Sequence, residues 1–435
     1  MPRENGLFIL FSSDHYSVLQ TTQQLVIGLD LCSTAITFKY LKRKLSEHFG
    51  EIPSEELIVA LTDAYEGGFI SIDGMYNSRK LKRNSDNSVR PSNVNDIHIQ
   101  ITDRCNYNCI YCYNRNVRKK LNKELSTDEW KNIFDKLAEY KPSKYVFSGG
   151  EPLLRDDIAE LSKYIRELPN TSVSLITNGS LVNAANAATL AEVFDDIAVS
   201  IDSHEENISD SLRCKGAYRA ANRALELLDR YNIKLSLNVC LTGLNIQEFE
   251  NTSEYYLEKY KNVYSINLMK LDFDELCPEI SISNAQLLNF VDERYKRIHE
   301  NSKYGTNLRN ESIISPRNGC GVGGSQITIG PDGSVYPCHL LYSPEFNCGN
   351  LQEESFEKIF NESDILTKFR QADRNRSNQC KNNDCHFFFY CNGGCLAMTF
   401  YKTGELKPWC TDRDCQYFQK ESFERIALQV ERGGT

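Results

Sequence analysis

Apolar and polar positions change their spacing along the chain at about Ile97. From there, short apolar runs of strand length alternate with longer segments in which apolar residues recur every three or four positions. Such alternation is typical of repeated strand–helix units. We predict strands at residues 97–101, 145–147, 172–176, 196–201, 234–241 and 264–268, and helices at 127–140, 155–168, 184–193 and 217–231. Six units of this kind predict an α/β fold with a parallel sheet, open or curled into a partial (β/α)6 barrel.

The first 82 residues have a different pattern and predict a small separate domain. Strand-length apolar runs surround two helical segments, and this order suits a winged-helix module. The predicted elements are strands at 7–11, 16–19, 25–29 and 69–72, and helices at 34–49 and 54–66. Residues 83–96 are polar, lack periodicity and predict a linker.

The end of the chain is rich in glycine and cysteine. From about Asn318 we expect little regular structure, as in a domain organised around metal, with a closing helix at 416–430. The predicted division is therefore 1–82 winged helix, 83–96 linker, 97–310 barrel and 311–435 cysteine-rich domain.

Charge and hydropathy restrict the partners of this chain. The formal charge of −9 argues against a nucleic-acid partner, which would favour a basic face. No run approaches 18 apolar residues, and the first residues lack the apolar core of a signal peptide. We therefore expect a cytoplasmic protein without a membrane segment.

Cysteine is the unusual component, with 16 residues. In a cytosolic chain, clustered thiols favour metal ligation over disulfides. All but four lie at positions 105–112 and 320–415. The four that stand apart are expected to be buried small hydrophobes: Cys32, Cys214, Cys240 and Cys277.

The first cysteine group directly follows the first predicted barrel strand, in the segment ITDRCNYNCIYCYNR. Cys105, Cys109 and Cys112 form a C-x3-C-x2-C array. Three thiolates can hold three irons of a cubane cluster and leave the fourth iron open to a small ligand. A zinc site would need a fourth ligand nearby, and His98, on the preceding strand, is expected to point the wrong way to supply it.

This array resembles the radical S-adenosylmethionine (SAM) superfamily, and the resemblance covers about residues 94–270. It implies that the open iron chelates SAM and that Tyr111 packs on the adenine. Gly149, Gly150 and Glu151, after the second strand, match the family segment that holds the amino group of SAM. Further matches at strand ends would contact the ribose and the methionine carboxylate: Thr177, Asn178, Ser200 and Asp202. Asn238, on the fifth strand, is a further candidate contact. Ordinary turn chemistry is the alternative for these polar residues.

The cysteine-rich end resembles the SPASM extension of that superfamily. The resemblance implies a first auxiliary cluster on Cys320, Cys338 and Cys395. Its fourth ligand would be Cys348, with Cys415 or an open iron as alternatives. A second auxiliary cluster would be held by Cys380, Cys385, Cys391 and Cys410. The Cys380-x4-Cys385 spacing is longer than the family's usual C-x2-C, and a zinc-binding knot is the alternative.

The resemblance implies SAM, three [4Fe–4S] clusters and a reduced flavodoxin or ferredoxin as electron donor. SPASM enzymes act mainly on peptides, and a winged helix before the barrel resembles the leader-binding RiPP recognition element. The implied function is an oxidoreductase that crosslinks a ribosomally made precursor peptide through a C–C or thioether bond, as in streptide-type enzymes. Weak candidates for catalytic residues are His339 and Arg213; Arg213 could bind a carboxylate of SAM or of the substrate, or could instead be solvated.

Two other functions remain open from the sequence. An anaerobic sulfatase-maturing enzyme would explain the cysteine-rich end but not residues 1–82. Those enzymes resemble one another in an aspartate at the position of His339, proposed as a base. A metal-stabilised regulator that binds DNA is the non-enzymatic alternative, and a salt-sensitive affinity for DNA would favour it.

Overall fold

A computed structural model describes residues 7–12, 17–22, 29, 37–50, 52–66, 91, 94–115, 123–270, 277–300, 319–381, 391, 393–406 and 412–431.

The N-terminal part begins with a two-stranded antiparallel hairpin, β1 Leu7–Ser12 and β2 Ser17–Thr22. Two helices follow, α1 Phe38–Phe49 and α2 Ser54–Glu66, and they bury Leu41, Leu45 and Leu57 in a small core of their own. The strand predicted at 69–72 lies outside the described residues, as does all of 25–29 except position 29. The winged-helix assignment therefore stays a prediction.

The central sheet contains all six predicted parallel strands in consecutive order, which confirms the predicted α/β fold with a parallel sheet. Two further strands extend it, one parallel to the first barrel strand and one antiparallel. The spatial order is β10-β9-β3-β4-β5-β6-β7-β8. The strands are β3 Asp96–Thr102, β4 Lys144–Gly149, β5 Ser172–Thr177, β6 Asp196–Ser200, β7 Lys234–Leu241, β8 Val263–Lys270, β9 Gln326–Ile329 and β10 Val335–Tyr336.

The two faces of this sheet differ in polarity. Ile97, Ile99 and Ile101 of β3 belong to the main hydrophobic core, together with alternate residues of the other strands and the outer helices. The opposite, inner face carries polar side chains such as Gln100, Asn238 and Asn267. One helix-covered face and one polar face are what a barrel with a binding interior requires.

The outer helices follow the strands as predicted. Ser126 begins the first of them through a capping box, in which its side chain accepts from Glu129 N while the Glu129 side chain accepts from Ser126 N. Its buried residues include Trp130 and Phe134. The helices are α3 Thr127–Ala138, α4 Ile158–Arg166, α5 Ala187–Val193, α6 Glu206–Leu212, α7 Ala217–Leu228, α8 Phe249–Lys259 and α9 Asn284–Glu300.

The expectation of little regular structure after about Asn318 is wrong. Strand β9 joins the barrel sheet beside β3, and helices follow: α10 Phe356–Glu362, α11 Asp364–Lys381, α12 Leu396–Thr403 and α13 Asp412–Glu431. The prediction failed because cysteine and glycine density was given more weight than the apolar periodicity of residues such as Phe356, Ile359 and Phe360, which are buried. The predicted closing helix is confirmed and begins at Asp412. Among the described helices, none is long and apolar enough to cross a membrane.

Candidate cofactor site

The first cysteine group lies in the loop at the carboxyl end of β3. The backbone is turned there by a hydrogen bond from Cys112 N to Cys109 O at 3.2 Å, and Tyr107 N donates to Cys105 Sγ at 3.4 Å. Burial raises the pKa of Cys109 to about 12; Asp202 and the thiols of Cys112 and Cys105 add to the rise, and Arg213 opposes it. The three cysteines therefore lie on one short loop that is turned by backbone hydrogen bonds.

This donor set fits an iron–sulfur cluster. Among the described residues, no three His, Cys, Asp or Glu side chains converge as the ligands of a single metal ion do. A cubane cluster does not require that convergence, because each thiolate binds a different iron. Three thiols on one loop, with a backbone N–H donated to one sulfur, match the needs of such a cluster.

The glycine pair at the end of β4 holds the strand against the cysteine loop. A Cβ atom on Gly150 would lie 1.8 Å from Arg104 O, and one on Gly149 would lie 2.4 Å from Thr102 O. The backbone makes hydrogen bonds across this contact, from Gly150 N to Thr102 O at 2.7 Å and from Glu151 N to Arg104 O at 2.8 Å. Glycine is required here because backbone approaches backbone, a reason that the sequence alone did not reveal.

Glu151 is fully buried and joins the ends of β4 and β5. Its carboxylate accepts from Thr177 Oγ1 at 2.7 Å, Asn178 N at 2.7 Å and Leu153 N at 3.1 Å. Burial raises the pKa of Glu151, and these three hydrogen bonds work against that rise. The structure thus gives Glu151 internal partners, and its contact with the SAM ammonium stays a prediction.

The loop after β5 is fastened to the cysteine loop by Asn106, which the sequence analysis did not single out. Asn178 Nδ2 donates to Asn106 Oδ1 at 2.9 Å, and Asn106 Nδ2 donates to Ser180 Oγ at 2.8 Å. The sequence signal that could have identified Asn106 is its polar amide side chain at a position inside the cysteine array. Thr177, Asn178 and the thiol loop therefore form one connected region.

A buried ion pair lies beside the cysteine loop. Asp202 is 0% exposed and accepts from Arg213 Nε at 2.7 Å and from Arg213 Nη2 at 3.0 Å. Burial alone would lower the pKa of Arg213, but Asp202 outweighs it and the pKa rises. The alternative of a solvated Arg213 is wrong, because this carboxylate holds the guanidinium inside the fold.

Tyr111 belongs to the same unit. Its hydroxyl donates to Asp202 Oδ2 at 2.5 Å, and the Arg213 guanidinium carbon lies 5.7 Å from its ring centroid. The residues that precede Tyr111 and Arg213 are also hydrogen-bonded, because Ile110 N donates to Leu212 O at 3.0 Å. Residues predicted separately as an adenine contact, a ribose contact and a carboxylate ligand are therefore bonded to one another.

Polar residues continue across the inner face on β6, β7 and β8. Ser200 lies opposite Asn238, and Asn238 lies opposite Asn267 in the strand register. Asn267 Nδ2 donates to Asn238 Oδ1 at 2.9 Å. Ser200 and Asn238 were predicted from the sequence, whereas Asn267 was not. Asn267 lies on the same face of its strand as Met269, because side chains two residues apart share a face, and this alternation was the signal for the inner face.

In the cysteine-rich part, Cys338 is buried in a hydrophobic cluster against which Cys395 packs. Burial raises the pKa of Cys338, and the thiols of Cys395 and Cys320 raise it further. Cys338 lies just after β10, and Cys395 caps the start of α12. These are the three residues that the SPASM resemblance assigned to the first auxiliary cluster, and their all-thiol character fits such a group.

Cys348 has other surroundings. Its Sγ donates to Phe346 O at 3.3 Å, and burial raises its pKa to about 12, opposed by Ser363, Arg370 and the Leu366 backbone. Its backbone pairs with β10. The role of fourth ligand therefore stays a prediction for Cys348. Cys415 lies on α13 and accepts from Gln419 Nε2 at 3.4 Å.

The proposed second auxiliary cluster falls largely outside the described residues. Cys385 and Cys410 lie outside them, and Cys380 lies on α11. Gly393 N donates to Cys391 Sγ at 3.3 Å, a backbone contact of the kind that cluster thiolates accept. Its ligand set stays a prediction.

His339, the weak catalytic candidate, follows Cys338 and is packed against β3. Its ring centroid lies 4.8 Å from that of His98. Burial and His98 lower the pKa of His339 to about 3, and burial and Lys144 lower the pKa of His98 to about 4. Both imidazoles are therefore neutral at neutral pH, and His339 is a weak base in this position.

Comparisons with known proteins agree with this geometry. The family model described as the radical SAM superfamily matches residues 99–256, and the SPASM iron–sulfur cluster-binding domain matches 320–386. The chain is 26% identical to the mycofactocin maturase MftC of Mycolicibacterium smegmatis over 69% of this chain and 78% of that protein. It is 32% identical to the Fe-coproporphyrin III synthase of Methanosarcina barkeri over 46% of this chain and 51% of that protein.

Two solved structures have a similar fold. AnSMEcpe with bound AdoMet has a TM-score of 0.62 at 19% identity, over 78% of this chain and 93% of that one. Streptococcus suis SuiB, bound to the precursor peptide SuiA, has a TM-score of 0.59 at 14% identity, over 94% of this chain and 96% of that one. These matches show that the chain contains a radical SAM domain over residues 99–256 and a SPASM iron–sulfur cluster-binding domain over residues 320–386.

Proposed function

We propose that this protein is a peptide maturase that uses SAM to form an intramolecular C–C or thioether crosslink in a ribosomally made precursor peptide. The observation that carries the proposal is the connected edge of the barrel, where the cysteine loop meets the ends of β4, β5 and β6. When bound, the cluster and SAM supply a 5′-deoxyadenosyl radical that abstracts hydrogen from a C–H bond.

The side chains of the barrel edge bind and orient these groups. Cys105, Cys109 and Cys112 are the ligands of the SAM-binding cluster. Gly150 and Asn106 fix the loop that bears them, and the Asp202–Arg213 pair fixes Tyr111. The polar inner face then offers amide and hydroxyl groups to the ribose and methionine parts of SAM: Thr177, Asn178, Ser200, Asn238 and Asn267.

We assign two auxiliary clusters to the SPASM domain, giving three [4Fe–4S] clusters in total. The first would be held by Cys320, Cys338 and Cys395, which interact in the structure. The second would be held by Cys380, Cys385, Cys391 and Cys410. Flavodoxin or ferredoxin would supply electrons to the cytoplasmic enzyme.

The peptide substrate is supported by the N-terminal unit. Fold likeness to SuiB extends over 94% of the chain, against 78% for anSMEcpe, so it includes most of the residues before the barrel. SuiB was solved with its precursor peptide. By β-augmentation, a leader peptide would add a strand to the hairpin of β1 and β2 and continue over the adjacent helices.

Oxidation of Cys or Ser to formylglycine is the second candidate. The anSMEcpe fold, present over 78% of the chain, favours it. The position at which those enzymes resemble one another in an aspartate is occupied here by His339. That contrast, and the additional N-terminal unit, make peptide crosslinking the better-supported function.

The test is an anaerobic reaction of the reconstituted protein with SAM, a reductant and precursor peptides that retain their leaders. We expect 5′-deoxyadenosine and a peptide that has lost two hydrogens without becoming reactive toward hydrazide. A hydrazide-reactive aldehyde would instead identify formylglycine. The control is the Cys105→Ala/Cys109→Ala/Cys112→Ala variant, and absence of 5′-deoxyadenosine from a cluster-loaded wild type would overturn the proposal.

A further inference from the structure

The SAM-binding loop and the SPASM domain meet through two aromatic rings. Tyr113 directly follows Cys112, and His339 directly follows Cys338. Their ring centroids are 6.3 Å apart, and the planes meet edge to face at 66°. This is the preferred geometry of an aromatic pair. Each of the two rings in this contact therefore belongs to a residue that directly follows a proposed cluster ligand.

The His339 ring is fixed to the barrel on its other side. It lies 4.8 Å from the ring of His98, which is on β3, the strand that leads into the cysteine loop. The buried Nδ1 of His339 has no hydrogen-bond partner among the described residues. Packing between rings, rather than a hydrogen bond from this nitrogen, therefore holds the imidazole between His98 and Tyr113.

The turn that carries His339 is attached at two further points. Tyr342 Oη donates to Asp103 Oδ1 at 2.8 Å, and Asp103 immediately follows β3. On the SPASM side, Tyr401 Oη donates to Leu340 O at 3.0 Å. The turn is thus tied to both ends of the interface, which leaves it little freedom to move relative to the cysteine loop.

We propose that Tyr113 and His339 are positioning residues that set the separation and surroundings of the SAM-binding cluster and the first auxiliary cluster. The proposal rests on the function proposed above, which makes Cys112 and Cys338 cluster ligands. Because neither Tyr113 nor His339 is a proposed cluster ligand, either side chain can be truncated while all proposed ligands remain in place.

The experiment compares ring-removing and ring-retaining variants of the fully loaded protein. Tyr113→Ala and His339→Ala remove a ring, whereas Tyr113→Phe and His339→Phe keep one. Tyr264→Ala removes an equally exposed tyrosine from β8, since Tyr264 is 39% exposed and Tyr113 is 40% exposed. The readouts are iron content, the spin–spin interaction between the two reduced clusters in pulsed paramagnetic resonance, and the midpoint potential of the auxiliary cluster.

We expect the two alanine variants to bind as much iron as wild type but to show a broader cluster–cluster distance distribution and a shifted auxiliary potential. The phenylalanine variants and Tyr264→Ala should match wild type. If Tyr113→Ala leaves both the distance distribution and the potential unchanged, the inference is wrong. Failure of the proposed function can be distinguished from failure of this inference. In that case, the wild-type protein itself would have the same iron content and paramagnetic resonance spectrum as Cys338→Ala.

Discussion

The barrel edge and the SPASM domain hold their cysteines in different ways. At the barrel edge, the loop with Cys105, Cys109 and Cys112 is attached to three strand ends by hydrogen bonds and by close backbone contact. In the SPASM domain, Cys338 and Cys395 lie at the start of a short turn and of α12. The first site is built on a sheet, and the second is assembled from loops and helix ends.

This difference shows where each site obtains its order. A sheet edge fixes the loop before any cofactor binds, because the strands are stabilised by the main hydrophobic core. Loop-borne thiols depend more on the metal that joins them, since metal binding and folding are coupled when no preformed site exists. Substitutions in the two regions should therefore impair cluster binding in different ways.

The largest effect is expected from Gly150→Ala. The added Cβ would lie 1.8 Å from Arg104 O, so the cysteine loop or the end of β4 must move. We expect loss of the SAM-binding cluster and of 5′-deoxyadenosine formation, measured by iron content and by mass spectrometry.

Gly404→Ala is the matched control from the SPASM domain. Gly404 ends α12 in the left-handed conformation with φ +68°, yet a Cβ there would meet nothing within 4 Å. The cost is then only the backbone strain of about 1 kcal/mol. Equal damage from both substitutions would contradict a steric role for Gly150.

A smaller, selective effect is expected from Cys338→Ala. It removes the buried member of the thiol group with Cys320 and Cys395, so the protein should lose one auxiliary cluster while still cleaving SAM. Cys348→Ala is the matched variant. If Cys348 is the fourth ligand, as predicted, this variant should also lose iron. Unchanged iron content would show that its thiol, which donates to Phe346 O, is not a ligand.

Strand positions and the first cysteine group were predictable from sequence because each depends on local pattern. The strand predicted at 234–241 is β7 itself, and the other barrel strands agree within a few residues. The C-x3-C-x2-C array directly follows the first predicted barrel strand in the sequence, so its position at a strand end was also predictable from local pattern. Local signals therefore predicted the architecture and the place of the chemistry.

Contacts between distant segments were not predictable. Asp202 and Arg213 were assigned separate ligands, although they bind each other, and the hydrogen bond from Asn267 to Asn238, which joins two strands, was not foreseen. Likewise, nothing in the sequence of Gln326–Ile329 indicated that β9 would pair with β3. Such pairings depend on the order of strands in space, which a single sequence does not encode locally.

Arg213→Met should destabilise the barrel without removing a cluster ligand. It leaves the carboxylate of Asp202, 0% exposed, without its charge partner. Breaking one side of a buried ion pair typically costs about 3–5 kcal/mol of unfolding free energy. Urea denaturation followed by circular dichroism would measure it. The Asp202→Leu/Arg213→Met variant should recover part of the loss, and no recovery would contradict the unpaired-charge explanation.

The smallest effects are expected at two helix caps, and they test whether the two regions are one cooperative unit. Ser126 caps α3 in the barrel within a capping box, and Ser355 caps α10 in the SPASM domain by accepting from Lys358 N at 3.2 Å. Replacing either by alanine should cost about 1 kcal/mol. Because β9 joins the domain to β3, we expect the Ser355→Ala loss to reach the barrel.

Native-state hydrogen exchange of the cluster-loaded protein can detect this. If the regions open together, each alanine variant lowers the protection of slowly exchanging amides in both α3 and α10, by about fivefold for 1 kcal/mol. The double variant should then show the sum of the two losses, since distant sites are additive. Protection that falls only in α10 after Ser355→Ala would show that the SPASM domain opens on its own. The shared sheet would then join the two regions in space without making them one folding unit.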